Sequence, residues 1–126
     1  MKQVLHTEKA PAAIGPYAQG WKVGDMVYTS GQLGIDMETG KLAEGMEAQA
    51  RTSMRNVGEI LKAAGASYGD VVKTTIFVKD LADFKTVNTV YAEFFDGVYP
   101  ARSCVQVAAL PMGGLVEIEA VAVVEA

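Results

Sequence analysis

Between Met46 and Ala64 the apolar residues Met46, Ala50, Met54, Val57, Leu61 and Ala64 recur at steps of three and four, which places them on one side of an α-helix. Gly65 supplies a stop. The other side carries Glu47, Arg51, Arg55 and Glu59 at four-residue intervals, a ladder of ion pairs that accounts locally for two of the three arginines. A second stripe, Phe84, Val87, Tyr91 and Phe94, predicts another amphipathic helix, with Asp83 as its N-cap and Gly97 and Pro100 marking its end.

Elsewhere the period is two. Residues 71–78 read as a central strand, with Val72, Thr74, Ile76 and Val78 on one face and Val71, Lys73, Thr75 and Phe77 on the other. Gly24-Asp25 between two runs of β-formers predicts a hairpin over 21–30. Two more strands fall at 103–108 and 115–124, connected through Leu110-Pro111-Met112-Gly113-Gly114. Gln3-Val4-Leu5-His6 can add a short strand. Residues 31–45 are rich in turn formers and receive no element. The order is β-β-α-β-α-β-β, an α+β fold in one domain over residues 1–126.

The last strand is apolar on one face throughout (Val116, Ile118, Ala120, Ala122, Val124) and mixed on the other, where Leu115, Val121 and Val123 flank Glu117 and Glu119. Two helices cover only one side of such a sheet. The second side therefore calls for a homo-oligomer packed through the sheet.

Composition narrows the function. Apolar residues make up 50% of the 126 and charged residues 21%, which is the mix of a folded protein. A net charge of −4 repels phosphate backbones and anionic lipid, so neither nucleic acid nor membrane is an expected partner. Cys104 and His6 are single, which excludes an intrachain disulfide and a His/Cys metal cluster. No apolar run reaches the length of a membrane span and the first residues have no apolar signal core, so the expected compartment is the cytoplasm. No GxGxxG occurs, and residues 34–41 fail as a phosphate loop because five residues precede Gly40-Lys41 and Leu42 follows; no cofactor is expected.

Of the arginines, Arg102 lacks a helical partner; it opens a strand, with Cys104 and Gln106 on its side of the pleat. Together with Glu117 it is expected to face one subunit interface. It can fork onto a substrate carboxylate while Glu117 orients or deprotonates a water, or the two can form a structural ion pair; the residues alone leave both readings open. Cys104 has no nearby base and reads as a small buried hydrophobe. Ile14-Gly15-Pro16-Tyr17 is a rigid turn that either offers the Tyr17 phenol to a pocket or simply packs it. Ser30-Gly31-Gln32 ends a hairpin strand, where Gly31 allows close backbone approach to a ligand or marks a bulge. Asn88, beside the second helix's apolar stripe, reads as a solvated or bridging amide.

Pro100-Ala101-Arg102-Ser103-Cys104-Val105-Gln106-Val107, followed by Leu115-Val116-Glu117-Ile118-Glu119, resembles the Rid family, the YjgF-type reactive intermediate deaminases. The resemblance extends through Ala13-Ile14-Gly15-Pro16-Tyr17, Thr29-Ser30-Gly31-Gln32 and Val87-Asn88-Thr89-Val90-Tyr91. It implies a chorismate-mutase-like α+β fold and a homotrimer whose sheets form a central barrel, with sites between subunits. The implied reaction is cofactor-free hydrolysis of 2-imino acids such as 2-iminobutanoate and 2-iminopropanoate to 2-keto acids and ammonia. By the same resemblance Arg102 binds the carboxylate, Glu117 orients the water and Tyr17 belongs to the site. Cys104 contributes its backbone N–H, and Ser30, Gly31 and Asn88 line the pocket. One departure concerns Ala109 and Met112, which stand where many relatives carry basic residues and put substrate preference in question.

Two other functions compete. A non-catalytic trimer that binds a small carboxylate and signals to a partner would use Arg102 equally, but a second carboxylate at Glu117 would repel its ligand. RNA cleavage conflicts with the acidic charge, the single histidine and the lack of a basic, aromatic patch.

Overall fold

The apolar side of residues 46–64 becomes the buried side of helix α1, Gly45–Ala63, in a computed structural model that describes residues 1–125. Met54, Val57, Ile60 and Leu61 are essentially inaccessible to solvent. Gly65, at φ +79°, ends the helix in a Schellman turn: its N–H donates to the Lys62 carbonyl (3.0 Å) and that of Ala66 to the Leu61 carbonyl (2.9 Å). The expected ion-pair ladder forms only in part. Arg51 pairs with Glu47 (3.3 Å) and reaches across to Glu93 (2.8 Å), and among the described residues no ion pair joins Arg55 to Glu59.

The strands are β1 (Lys2–Leu5), β2 (Gly20–Val23), β3 (Met26–Thr29), β4 (Gln32–Leu33), β5 (Val71–Val78), β6 (Ala101–Gln106) and β7 (Val116–Val123). Helix α2, Phe84–Ala92, connects β5 to β6. They form one sheet in the order β1-β2-β3-β7-β5-β6, with β4 pairing farther along β7. Only β5 and β6 run parallel, the pairing that a helical crossover permits. Gly24 at φ +58° makes the β2–β3 turn. The sheet and two helices give the expected α+β fold.

Four local expectations are corrected. Residues 31–45 do contain structure, namely β4 and a bridge between Ile35 and Leu42. Periodicity could not show it, because β4 is held by buried side chains of α1: Ser53 donates to the Gln32 carbonyl (2.7 Å), and Asn56 to those of Leu33 (3.1 Å) and Ile35 (3.0 Å). A register irregularity between Val71 and Lys73 turns Val71 inward and leaves Val72 exposed, reversing the expected face at the start of β5. Helix α2 ends at Ala92, short of Phe94, whose ring instead packs on Tyr68 with centroids 5.2 Å apart. Asp83 forms no side-chain cap; Asp80 accepts from the Ala82 N–H (2.9 Å) and opens the short 3₁₀ turn that leads into α2.

Both helices lie on one face, over Val116, Ile118, Ala120 and Ala122 of β7, Thr74 and Ile76 of β5, and Val27 of β3. The other face carries Trp21, Val23, Tyr28 and Val105, all substantially exposed, around Val121, Val123 and Phe77. No helix among the described residues is long and apolar enough to cross a membrane.

Candidate functional site

Glu117 lies on the uncovered face, opposite Phe77 of β5 in register. Its carboxyl group rests against the backbone of Gly31, where an added Cβ would stand 2.8 Å from Cδ and 2.9 Å from Oε1. Gly31 is expected to admit a ligand close to its backbone; what lies against it in the chain is the Glu117 carboxyl. Burial pushes the Glu117 carboxyl above the usual carboxylate range, and the negative charge of Glu119 adds to the effect. Glu117 forms part of the wall of a cavity of about 520 Å³, with Gly31, Tyr17, Leu33, Met37 and Met112 among its neighbours there.

Tyr17 is half exposed, at the end of a tight turn closed by its N–H donating to the Gly15 carbonyl (2.8 Å). The segment before it is tied down by the buried amide of Gln19, which accepts from the Thr7 N–H (2.7 Å) and donates to the Pro11 carbonyl (2.8 Å), so that Pro11 and Ala12 also line the cavity. Ser30 donates its hydroxyl to the Ala18 carbonyl (2.6 Å); it fixes the strand end and leaves Gly31 to face the cavity.

Arg102 belongs to a different place. It pairs in register with Thr74, whose side chain lies under the helices, so its guanidinium projects on the helical side of the sheet beside α2. There Nη1 donates to Asn88 Oδ1 at 2.7 Å, and the guanidinium carbon lies 5.3 Å from the Phe84 ring centroid and 5.1 Å from that of Tyr91. Tyr91 is in turn fixed by a 2.6 Å hydrogen bond with the Thr74 hydroxyl. A cavity of about 320 Å³ opens here between Asn88, Tyr91, Tyr99, Pro100 and Arg102. Asn88 is thus a bridging amide, and the bridge it makes is to Arg102.

Cys104 follows on the same side of the edge strand β6. Burial pushes its thiol above the usual range, only partly opposed by Arg102, which keeps it protonated and a poor nucleophile. Its backbone is better placed. The Val107 N–H donates to Val78 of β5 (2.9 Å), so the period of two turns the Cys104 N–H away from β5, off the open edge of the sheet.

Arg102 and Glu117, expected to face one subunit interface, lie well apart within the chain by this register. Ala120 is the β7 residue opposite Thr74 and hence level with Arg102. Glu117 lies three residues farther along and two strands across, which at ordinary strand spacings separates the Cα atoms by roughly 14 Å on opposite faces. Among the described residues no carboxylate pairs with Arg102, so a structural Arg102–Glu117 ion pair within the chain does not form. Tyr17, Gly31 and Glu117 thus gather in one place, and Arg102, Cys104 and Asn88 in another.

Phe84 and Tyr91 were legible only as core positions, yet with Asn88 they follow the spacing 84, 88, 91 along one helix face, the signal that could have marked them as the cradle of Arg102. Met37 and Ile35 lay in the segment given no element. Among the described residues no group of three His, Cys, Asp or Glu could hold a metal ion.

The chain matches the family described as endoribonuclease L-PSP over residues 7–124. It is 56% identical over 126 residues to the 2-iminobutanoate/2-iminopropanoate deaminase of Salmonella typhimurium and 53% identical to the protein of that name in Escherichia coli, covering 98% of each chain in both pairs. The crystal structure of E. coli TdcF with bound serine superposes with a TM-score of 0.94 at 50% identity, over 98% of this chain and 99% of that one. With the motifs around Arg102 and Glu117 carried on the same α+β framework, the chain belongs to the endoribonuclease L-PSP family, the YjgF/Rid family.

Proposed function

We propose that this protein hydrolyses 2-imino acids, such as 2-iminobutanoate and 2-iminopropanoate, to 2-keto acids and ammonia, in sites that form between the subunits of a homotrimer. One observation carries the reading. Arg102 is held by an amide and two rings with no carboxylate partner among the described residues, while Glu117 sits with a raised pKa beside a cavity on the opposite face. Neither half is complete, and the uncovered apolar face between them is a surface for a second copy.

In the assembled site Arg102 binds the substrate carboxylate. Asn88 occupies only one of its five N–H donors, and the Cys104 N–H off the sheet edge supplies a further contact. Glu117 from the neighbouring copy accepts a proton from water as the water oxygen attacks C2 of the protonated imine, giving a neutral tetrahedral carbinolamine. Glu117 returns that proton to nitrogen and then takes the hydroxyl proton as the C–N bond breaks, so that the C2 carbonyl forms and ammonia leaves, carrying the last proton away as ammonium. A carboxyl held above its usual range suits both halves of this transfer. The imine carbon is electrophilic already, so positioning and proton transfer through Glu117 suffice without a covalent intermediate. The high identity to proteins named as deaminases of these two imines supports the substrate class.

The test generates 2-iminobutanoate from threonine with a dehydratase and traps surviving imine with semicarbazide. The wild type lowers semicarbazone formation; Glu117→Gln loses about 10²–10⁴-fold in rate. Arg102→Ala loses about ten- to a hundredfold in kcat/KM, the worth of charged hydrogen bonds. A wild type that binds 2-ketobutyrate without lowering the trapped product would instead be a non-catalytic carboxylate sensor.

A further inference from the structure

The cavity beside Glu117 is far larger than the reaction centre needs. At about 520 Å³ it falls in the range of pockets that enclose whole drug-sized ligands, whereas 2-iminopropanoate would bring a single methyl group to it. Its wall contains no charged side chain besides Glu117. Proline, leucine, isoleucine and methionine side chains supply most of the remainder, with Tyr17 and Gln32 the polar exceptions, which gives a charged group no opposite charge to pair with on this wall.

Met112 stands out on that wall. It sits in the 3₁₀ turn Pro111–Gly113 at φ +60°, the one non-glycine residue with positive φ among those described, and its side chain remains 57% exposed. A left-handed methionine is an unfavoured conformation, and burial does not explain it. Met37 lines the same cavity and is 43% exposed. Two flexible, polarizable thioethers at one cavity suit apolar groups of variable shape.

We propose that this cavity receives the substrate's side chain, and that Met112, with Met37, makes the enzyme prefer 2-imino acids with extended apolar side chains, such as those derived from leucine, methionine or phenylalanine, over small or acidic ones. The inference rests on the imine-hydrolase reading and deepens it. With the carboxylate on Arg102 and C2 at Glu117, the side chain is the part of the substrate left to fill the cavity. An acidic side chain would meet Glu117 and no cation of the cavity wall, while Arg102 is occupied by the substrate carboxylate.

An amino-acid oxidase can generate the imines of leucine, methionine, phenylalanine, alanine and glutamate, with semicarbazide trapping as the readout. The kcat/KM for the leucine and methionine imines should exceed that for the alanine imine by about tenfold or more, the discrimination an apolar pocket gives for a few methylenes. The glutamate imine should be the poorest. Met112→Lys should shift the glutamate-to-leucine ratio toward glutamate by about tenfold, while Met112→Leu keeps the wild-type order; Met37→Ser is the second variant should Met112→Lys not fold. Equal kcat/KM across the series, or ratios indifferent to both substitutions, would overturn the specificity assignment while leaving the hydrolase reading intact. Absence of turnover with every imine would overturn the hydrolase reading and this inference with it.

Discussion

At the residue scale, the proposed reactivity depends on how Glu117 is seated. Gly31 gives the Glu117 carboxyl its seat, so Gly31→Ala should push that flexible side chain aside and leave the strands in place. The expected outcome is at least about a tenfold loss of kcat with little change in melting temperature, because misplacing a reacting group by an ångström costs rate far more than stability. Unchanged kcat would separate Glu117's position from catalysis. Glu117 itself predicts the pH dependence. Its raised pKa means that it still carries a proton where an ordinary carboxylate has lost one, so kcat/KM should fall on the acid side with a midpoint above the usual carboxylate range, and Glu119→Gln should move that midpoint down. The same shift has a sign for folding. A folded-state pKa above the unfolded one gives stability that is present in acid and lost as pH rises through the folded value, so at neutral pH the ionised group opposes the fold. Glu117→Gln should therefore raise the melting temperature at neutral pH and leave it unchanged in acid; a lowered melting temperature at neutral pH would contradict the desolvation account.

At the element scale, α1 does two jobs with two stripes. Its apolar stripe builds the core and was plain in the sequence. Gln49, Ser53 and Asn56, at 49, 53 and 56, form a buried polar stripe that serves the backbone of residues 32–43 and 115. That stripe helps explain why residues 31–45 could not be read as structure: their strand pairing covers only two residues of β4 and one bridge, and side chains of α1 supply much of the rest of their hydrogen bonding. Likewise Val72 was misplaced because a one-residue irregularity reverses a face without altering β-propensity. Asn56→Ala removes the donor to two buried carbonyls and should cost about 1–3 kcal/mol in urea unfolding. Amide exchange should rise most around β4 and the cavity wall; exchange raised evenly across the sheet would show that the stripe has no local role.

At the scale of the whole molecule, the sequence motifs named Arg102, Glu117, Tyr17 and Asn88 but not their arrangement. Strand parity within β6 and β7 was visible, yet which residue of β6 lies level with which of β7 depends on β5 coming between them, and that is a property of topology. Once the register is known, two groups of candidate residues on opposite faces of one sheet and an apolar face left uncovered are what the proposed site shared between copies requires. The direct measurement is to unfold Arg102→Ala and Glu117→Gln together in equal amounts, refold the mixture, and assay imine hydrolysis. If each site takes Arg102 from one copy and Glu117 from the next, random assembly restores about a quarter of the wild-type sites from two nearly inactive proteins. Activity that stays at the level of the separate variants, in a mixture shown to have exchanged subunits, would contradict a shared site.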